Sequence, residues 1–282
     1  MTRGSVIVPA HDEASVIRRC LDALFTGIDA TEIDVIVACN GCTDDTAELA
    51  RSSGHPVRVI EIPTPSKPAA LRAAEAGDPP FPRIYLDADV ELAGPAALAV
   101  LTTLDDGAAA ARPPIRFDTE RSSSPVRAYY RARGRAPALM ERLWGAGVYG
   151  LSRSGRERFG DYPDVVAEDL FVDQHFDDTD IAIVPTVPVV VRVPRTTDAL
   201  LRVLRRTYRG NDDNQRDLAP DDTRSPRTST SVVFRQVAAS ARLGPGAARD
   251  AVVYVAITIA ARLRARLGHG ERWERDDTSR EA

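Results

Sequence analysis

Asp87-Ala88-Asp89 closes a short apolar run, Arg83 to Leu86. Two carboxylates two residues apart along extended chain point to the same side. Held close and ionised, they repel each other unless a cation neutralises them. Oxygen donors completed by water and phosphate suit Mg²⁺ or Mn²⁺. An acidic pair of this kind at a strand end is therefore a candidate cation and phosphate site, whereas in a loop it is only solvated surface.

Cys39-Asn40-Gly41-Cys42 has the spacing of a redox dithiol or of half a zinc site. A redox motif opens its helix with the first cysteine, but here Asn-Gly reads as a turn and Thr43 as the helix cap. Zinc would need two further ligands, and there is no second cysteine pair. The histidines His11, His55, His175 and His269 show no metal spacing, and only His11 lies beside the polar clusters. The chain has no G-x-x-x-x-G-K-[ST] loop, no G-x-G-x-x-G after its first strand and no G-x-S-x-G elbow. Any nucleotide phosphate must then be held by a metal and by Lys or Arg.

The elements that position these groups follow from hydrophobic period. Ser5 to Pro9, Asp34 to Ala38, Val57 to Ile62 and Arg83 to Leu86 are short apolar runs read as buried strands. Asp12 and Glu13 are expected to open a first helix carrying Val16, Ile17, Cys20, Leu21, Leu24 and Phe25 at helical spacing. Thr43, Asp44 and Asp45 make a cap cluster for a second helix, and Ser66 caps a third that runs to about Ala76. Pro95 sits in the first turn of a fourth helix, to about Leu104.

Strands separated by helices predict a mostly parallel α/β sheet sandwiched by helices, Rossmann-like, with ligands beyond the carboxyl ends of the strands. The polar clusters after the first, second and fourth strands all fall there.

The second half is less regular. Strand character is expected at Ala108 to Ile115 and Gly145 to Ser152, and a strand or hairpin at Ile181 to Val193. Helices are expected at Tyr129 to Trp144, Ala167 to Phe176, Ala199 to Arg209, Val232 to Leu243 and Ala247 to Leu267. Asp212 to Thr230 reads as polar and loose, and the last fifteen residues as a charged tail. The expected division is a first half over 1–105, a second half of the same domain over 106–215, and a helical extension over 216–282.

Composition bounds the function. With 282 residues the chain can bury a full core without a disulfide or metal staple. Its 37 basic and 41 acidic residues give a net charge of −4, so nothing global favours nucleic acid. Three cysteines form no disulfide framework and point to a reducing compartment. The N-terminus lacks a signal-peptide core, so a cytoplasmic location is expected. Ala251 to Ala261 and Ile181 to Val191 are about half of the roughly 20 residues a membrane span needs. The last helix, apolar on one face and followed by Arg262, Arg264 and Arg266, is read as core packing, with peripheral contact at the inner membrane face as the alternative. Lys67 is the only lysine in the chain.

Taken in order, VIVPAHDEASVIRRCLDAL, VIVACNGCTDDTAELA, SKPAALRAAEAG and IYLDADVEL resemble family 2 glycosyltransferases, inverting enzymes of the nucleotide-diphospho-sugar transferase (GT-A) fold. GAGVYGLSRSGRERFG, AEDLFVD and LRRTYRGN extend the resemblance over about residues 4 to 215. The resemblance implies a nucleotide-diphospho-sugar donor, a sugar, lipid-linked or small-molecule acceptor, and Mn²⁺ or Mg²⁺ as cofactor. It implies that Pro9, Ala10, His11 and Glu13 contact the nucleoside and that Asn40 reads the base. Cys39 departs from the family pattern, which commonly has Asp there. Lys67 matches a basic residue near the nucleotide.

Asp87, Ala88 and Asp89 match the D-x-D that carries metal and diphosphate, with Asp87 and Asp89 as metal ligands. Glu168 and Asp169 match the acidic pair near the acceptor, one of them the general base, with Asp169 preferred. Arg206 and Arg209 match a basic stretch beside diphosphate or acceptor. Helix-dipole acids and a solvated basic face are the plain alternatives for the last two groups. The rival functions are a non-catalytic sugar-nucleotide-binding protein and a nucleotidyltransferase. The latter needs a glycine-rich loop after the first strand, and PAHDEA has none.

Overall fold

The computed structural model describes residues 2–165, 167–217 and 230–267, with backbone only at 206, 209–217, 230, 266 and 267. The chain begins with β1 (Gly4–Ala10), α1 (Ile17–Phe25), β2 (Ile33–Asn40), α2 (Thr46–Arg51), β3 (Val57–Ile62), α3 (Lys67–Glu75), β4 (Arg83–Leu86) and α4 (Gly94–Asp105). It continues through β5 (Ala110–Arg112), β6 (Ile115–Asp118), α5 (Ser124–Arg133), α6 (Pro137–Met140), β7 (Val148–Leu151), α7 (Arg153–Arg156) and α8 (Glu168–Asp173). The last elements are β8 (Ile181–Ile183), β9 (Val189–Arg192), α9 (Thr197–Asp217), α10 (Thr230–Ser240) and α11 (Pro245–Leu267). Contacts divide the chain into two units, Met1–Arg116 with Leu143–Val191, and Phe117–Arg142 with Arg192–Ala282.

The first unit is built on a seven-stranded sheet of order β3-β2-β1-β4-β7-β5-β8. β1 runs parallel to β2 and β4, with Val6 opposite Val35 and Ile84. β7 alone runs antiparallel to its neighbours, Tyr149 opposite Tyr85. Every residue of β1 is buried, as a strand covered on both faces requires. Alternate side chains feed two cores. Val6, Val8, Val35, Val37, Ile84 and Leu86 face one, packed with Leu21, Leu24 and Leu101. Ile7, Ile36, Tyr85, Tyr149 and Leu151 face the other, packed with Ala70, Leu71, Val172 and Phe176. A separate two-stranded sheet pairs β6 with β9.

The second unit is helical. Tyr129 of α5 stacks on Tyr254 of α11 with ring centroids 4.8 Å apart. Asp250, 2% exposed, accepts hydrogen bonds from Arg131 and Arg135. α11 buries Ala251, Tyr254, Ile257 and Ala261, as core packing requires, while Val252, Ile259 and Leu263 stay exposed. Among the described residues no helix is long and apolar enough to cross a membrane.

Several local expectations are corrected. Asp12 and Glu13 do not open α1, which starts at Ile17 without a side-chain cap. Thr43 does not cap α2; Asp44 accepts from the Thr46 N–H instead. The expected helix over 129–144 ends at Arg133 and restarts for one turn at Pro137, where proline cannot continue the hydrogen-bond ladder. Ala108 to Ile115 holds only the three-residue β5 before Pro113-Pro114, and β6 begins at Ile115. Ile181 to Val193 is not a hairpin, because β8 pairs with β5 and β9 with β6. Asp212 to Asp217 continue α9 rather than forming a loop. The rest of that loop and the charged tail lie outside the described residues.

Candidate active site

The site forms where β1, β2 and β4 end. β4 stops at Leu86, and Asp87 to Asp89 enter a turn. Asp87 is half-buried, Ala88 buried and Asp89 exposed. The Asp87 N–H donates to the Gly147 carbonyl at 2.8 Å, since β7 runs back antiparallel beside β4. Gly147 has φ +65°, and a Cβ there would lie 2.5 Å from Val90 Cγ2 and 3.3 Å from Asp87 Oδ2. Only glycine takes that backbone freely, and its missing side chain keeps the face of Asp87 clear. This cradle and the carboxylates of the turn suit a hard divalent cation, with Asp87 and Asp89 as the residues that could hold it.

Lys67 opens α3 directly after the Ser66 cap. Its Nζ lies 2.5 Å from Asp87 Oδ1 and 2.5 Å from Glu168 Oε1. Burial would lower the pKa of this ammonium, but Asp87, Glu168 and Asp169 outweigh it and hold the group above the ordinary lysine value. The Glu168 side chain is only 3% exposed. Its burial pushes it up to about 7, against the pull of Lys67 and with the help of Asp169 and Asp87.

Asp169 is half-buried. Its Oδ2 accepts from the Gly145 N–H and its Oδ1 from the Leu170 N–H, both at 2.8 Å. Four residues on, Asp173 accepts from the Leu143 N–H at 2.8 Å. α8 thus fastens the glycine-rich loop 143–147 that backs Asp87, a role the sequence did not assign to these acids. α3 also anchors the approach to α8, for Arg72 donates to Asp164 Oδ1 at 2.8 Å.

The second cluster joins the loops after β1 and β2. Pro9 and Ala10 lie buried at the end of β1, level with Ala38 and Cys39. Asn40 is 3% exposed and donates through Nδ2 to the Ala10 carbonyl at 2.9 Å. His11 Nδ1 lies 2.6 Å from the Asn40 carbonyl oxygen. Glu13 is buried, and its N–H donates to Thr46 Oγ1 at 2.7 Å. Asp12, at φ +51°, accepts from the Thr43 N–H at 2.7 Å. The acids and hydroxyls expected to start two helices instead sew two loops together. Gly41, at φ +58°, makes the turn possible, since a Cβ there would meet Pro65 N at 2.8 Å.

The structure therefore brings Lys67, Asp87, Glu168 and Asp169 into one charged cluster, and Ala10, His11 and Asn40 into another. Arg206 and Arg209 lie on α9 in the second unit, with side chains outside the described residues. The sequence pointed to no role for Gly147, and it marked Asp12 only as a helix-opening acid and Cys42 only as half of a C-x-x-C pair. The glycine-rich composition of 145–150 was the available signal for the first.

The fold is a mostly parallel, helix-flanked seven-stranded sheet with an acidic turn at the end of β4. The chain belongs to glycosyltransferase family 2: the family model described as glycosyl transferase family 2 matches residues 5–152. The chain is similar to a mannosyltransferase from Pyrobaculum calidifontis solved with GDP-Man and Mn²⁺, at 21% identity and a TM-score of 0.62. That match covers 94% of this chain and 87% of the other. It is also similar to glucosyl-3-phosphoglycerate synthase from Mycobacterium tuberculosis solved with Mn²⁺, UDP and glucosyl-3-phosphoglycerate, at 21% identity and a TM-score of 0.48. That match covers 67% of this chain and 70% of the other. At 21% identity the likeness to the mannosyltransferase is one of fold alone. No curated protein matches the chain in sequence.

Proposed function

We propose that this glycosyltransferase moves a hexosyl group from a nucleotide-diphospho-sugar to an acceptor hydroxyl with inversion at the anomeric carbon. The convergence of Lys67, Asp87 and Glu168 at the carboxyl end of β4 carries this reading. Residues 1–105 supply the nucleotide-sugar side and 106–215 the acceptor side. His11, Glu13 and Asn40, with the buried backbone of Pro9 and Ala10, form the nucleoside subsite, and buried Ala88 keeps the turn between the two acids compact. Asp87 and Asp89 would hold Mn²⁺ or Mg²⁺, which when bound stabilises charge on the departing diphosphate. The fold neighbour with GDP-Man and Mn²⁺ supports that pairing of ligand and cation.

Lys67 brings fixed positive charge to the same point. With Asp87 engaged by a cation, Lys67 would still have Glu168 as its partner. Asp169 accepts the acceptor's hydroxyl proton, held in position by the Gly145 and Leu170 N–H groups. A single base facing the anomeric carbon opposite the leaving group gives inversion.

The test is turnover of a panel of sugar nucleotides with Mn²⁺ and simple acceptors, the product anomer read by NMR. Inverted product that disappears in Asp89→Ala supports the reading. Retained configuration, or turnover indifferent to Asp89→Ala, contradicts it.

A further inference from the structure

Cys42 alone cannot hold a metal, and the fold brings it two further donors from the loop after β1. His11, Asp12 and Cys42 each offer one donor atom, and these atoms all lie within 4.8 Å of one another. His11 Nε2 is 3.8 Å from Asp12 Oδ2. His11 Nδ1 faces the Asn40 carbonyl at 2.6 Å. A carbonyl only accepts, so Nδ1 carries a proton, and in the neutral ring Nε2 is the nitrogen with the lone pair. Metal-bound histidines are oriented in this way, with the second nitrogen held by a carbonyl or carboxylate.

Asp12 is fixed from the same side, since its Oδ1 accepts from the N–H of Thr43, the residue after Cys42. Cys42 is half-buried, with Sγ 3.4 Å from the Ala10 carbonyl oxygen. Cys39 is fully buried beside it.

We propose that His11, Asp12 and Cys42 form a binding site for a thiophilic divalent cation, zinc above all, separate from the carboxylate pair Asp87 and Asp89. A nitrogen, an oxygen and a sulfur donor suit zinc, whereas Mg²⁺ and Mn²⁺ take oxygen. Zinc ligands sit about 2.0–2.3 Å from the metal, so the three donors must draw in by on the order of 1 Å. Three protein ligands leave a fourth position for water. Binding replaces the Cys42 S–H bond with a metal–sulfur bond and releases the proton to solvent. The bound ion fastens the loop after β1 to the loop after β2. The proposal rests on these donors and does not depend on the transfer reaction.

The test titrates the full-length protein, kept reduced by a non-thiol reductant, with Co²⁺ in excess Mg²⁺ that saturates oxygen sites. The expected result is a thiolate-to-cobalt charge-transfer band, at one ion per chain, that Zn²⁺ displaces. Cys42→Ser removes the band, His11→Ala and Asp12→Ala weaken Co²⁺ binding about tenfold or more, and Asp89→Asn leaves the band intact. Circular dichroism checks each fold, and His11→Ala carries the test if Cys42→Ser does not fold. No band in the wild type, a band unchanged by Cys42→Ser or His11→Ala, or a band lost in Asp89→Asn overturns the proposal.

Discussion

The Lys67 ammonium lies 2.5 Å from Glu168 Oε1, on a carboxylate only 3% exposed, while the same nitrogen lies 2.5 Å from Asp87 Oδ1. One cation serves two acids from two elements. Removing it leaves the Glu168 charge buried and uncompensated, which is the costly way to break a pair. Lys67 is about one-third exposed, so the loss is smaller than for a fully buried ion. Lys67→Ala is expected to cost about 2 kcal/mol in urea denaturation. Adding Glu168→Gln should recover most of that loss. Additive effects in the double variant would show that the pair is not coupled.

Glu168 also sets a pH dependence. Its pKa in the fold is about 7 against an ordinary 4.5, chiefly through burial. The folded state therefore holds this proton more tightly than the unfolded state. Its contribution to stability is greatest at acid pH and is lost as pH rises from about 4.5 toward about 7. Metal-free wild type should lose thermal stability across that window, and Glu168→Gln should lose markedly less. Parallel curves for the two proteins would place the titration elsewhere.

Gly147 and Gly54 separate two costs. Both have positive φ, +65° and +86°, but a Cβ on Gly54 meets nothing within 4 Å. Gly54→Ala bears only the backbone penalty, about 1 kcal/mol. Gly147→Ala adds the contacts with Val90 and Asp87 and should cost on the order of 3 kcal/mol. It should also weaken Mn²⁺-dependent nucleotide binding, which Gly54→Ala should leave alone. Equal melting temperatures for the two variants would mean that the loop yields easily around Asp87.

Asp169→Asn keeps an oxygen for the Gly145 N–H but cannot accept a proton from substrate. Turnover should fall about 10²- to 10⁴-fold, with nucleotide affinity close to wild type. Glu168→Gln should lose less. The reverse ranking in kcat would move the base to Glu168.

Much of the sheet was legible because β-branched apolar runs have few other uses. Val57–Ile62 and Arg83–Leu86 are found at the expected residues. Ser66 caps α3 as its side chain suggests, accepting from the Ala69 N–H. The lone lysine, at the head of α3, proves to be the hub of an ion-pair cluster. What stayed hidden depends on partners distant in sequence. Asp12 looks like a helix-dipole acid, yet it bonds Thr43, thirty-one residues on. β8 and β9 are adjacent in sequence and pair with different strands, which local pattern cannot specify. Cys42 gains His11 and Asp12 only through the parallel pairing of β1 with β2.

The most direct measurement is calorimetric titration of UDP and GDP into wild type and Asp89→Asn, each with and without Mn²⁺. If a cation held by Asp87 and Asp89 carries the diphosphate, Mn²⁺ strengthens nucleotide binding to wild type by about tenfold or more. The same addition then does little for Asp89→Asn. Equal affinity with and without Mn²⁺, or a variant that responds as wild type does, would contradict a diphosphate site at the end of β4.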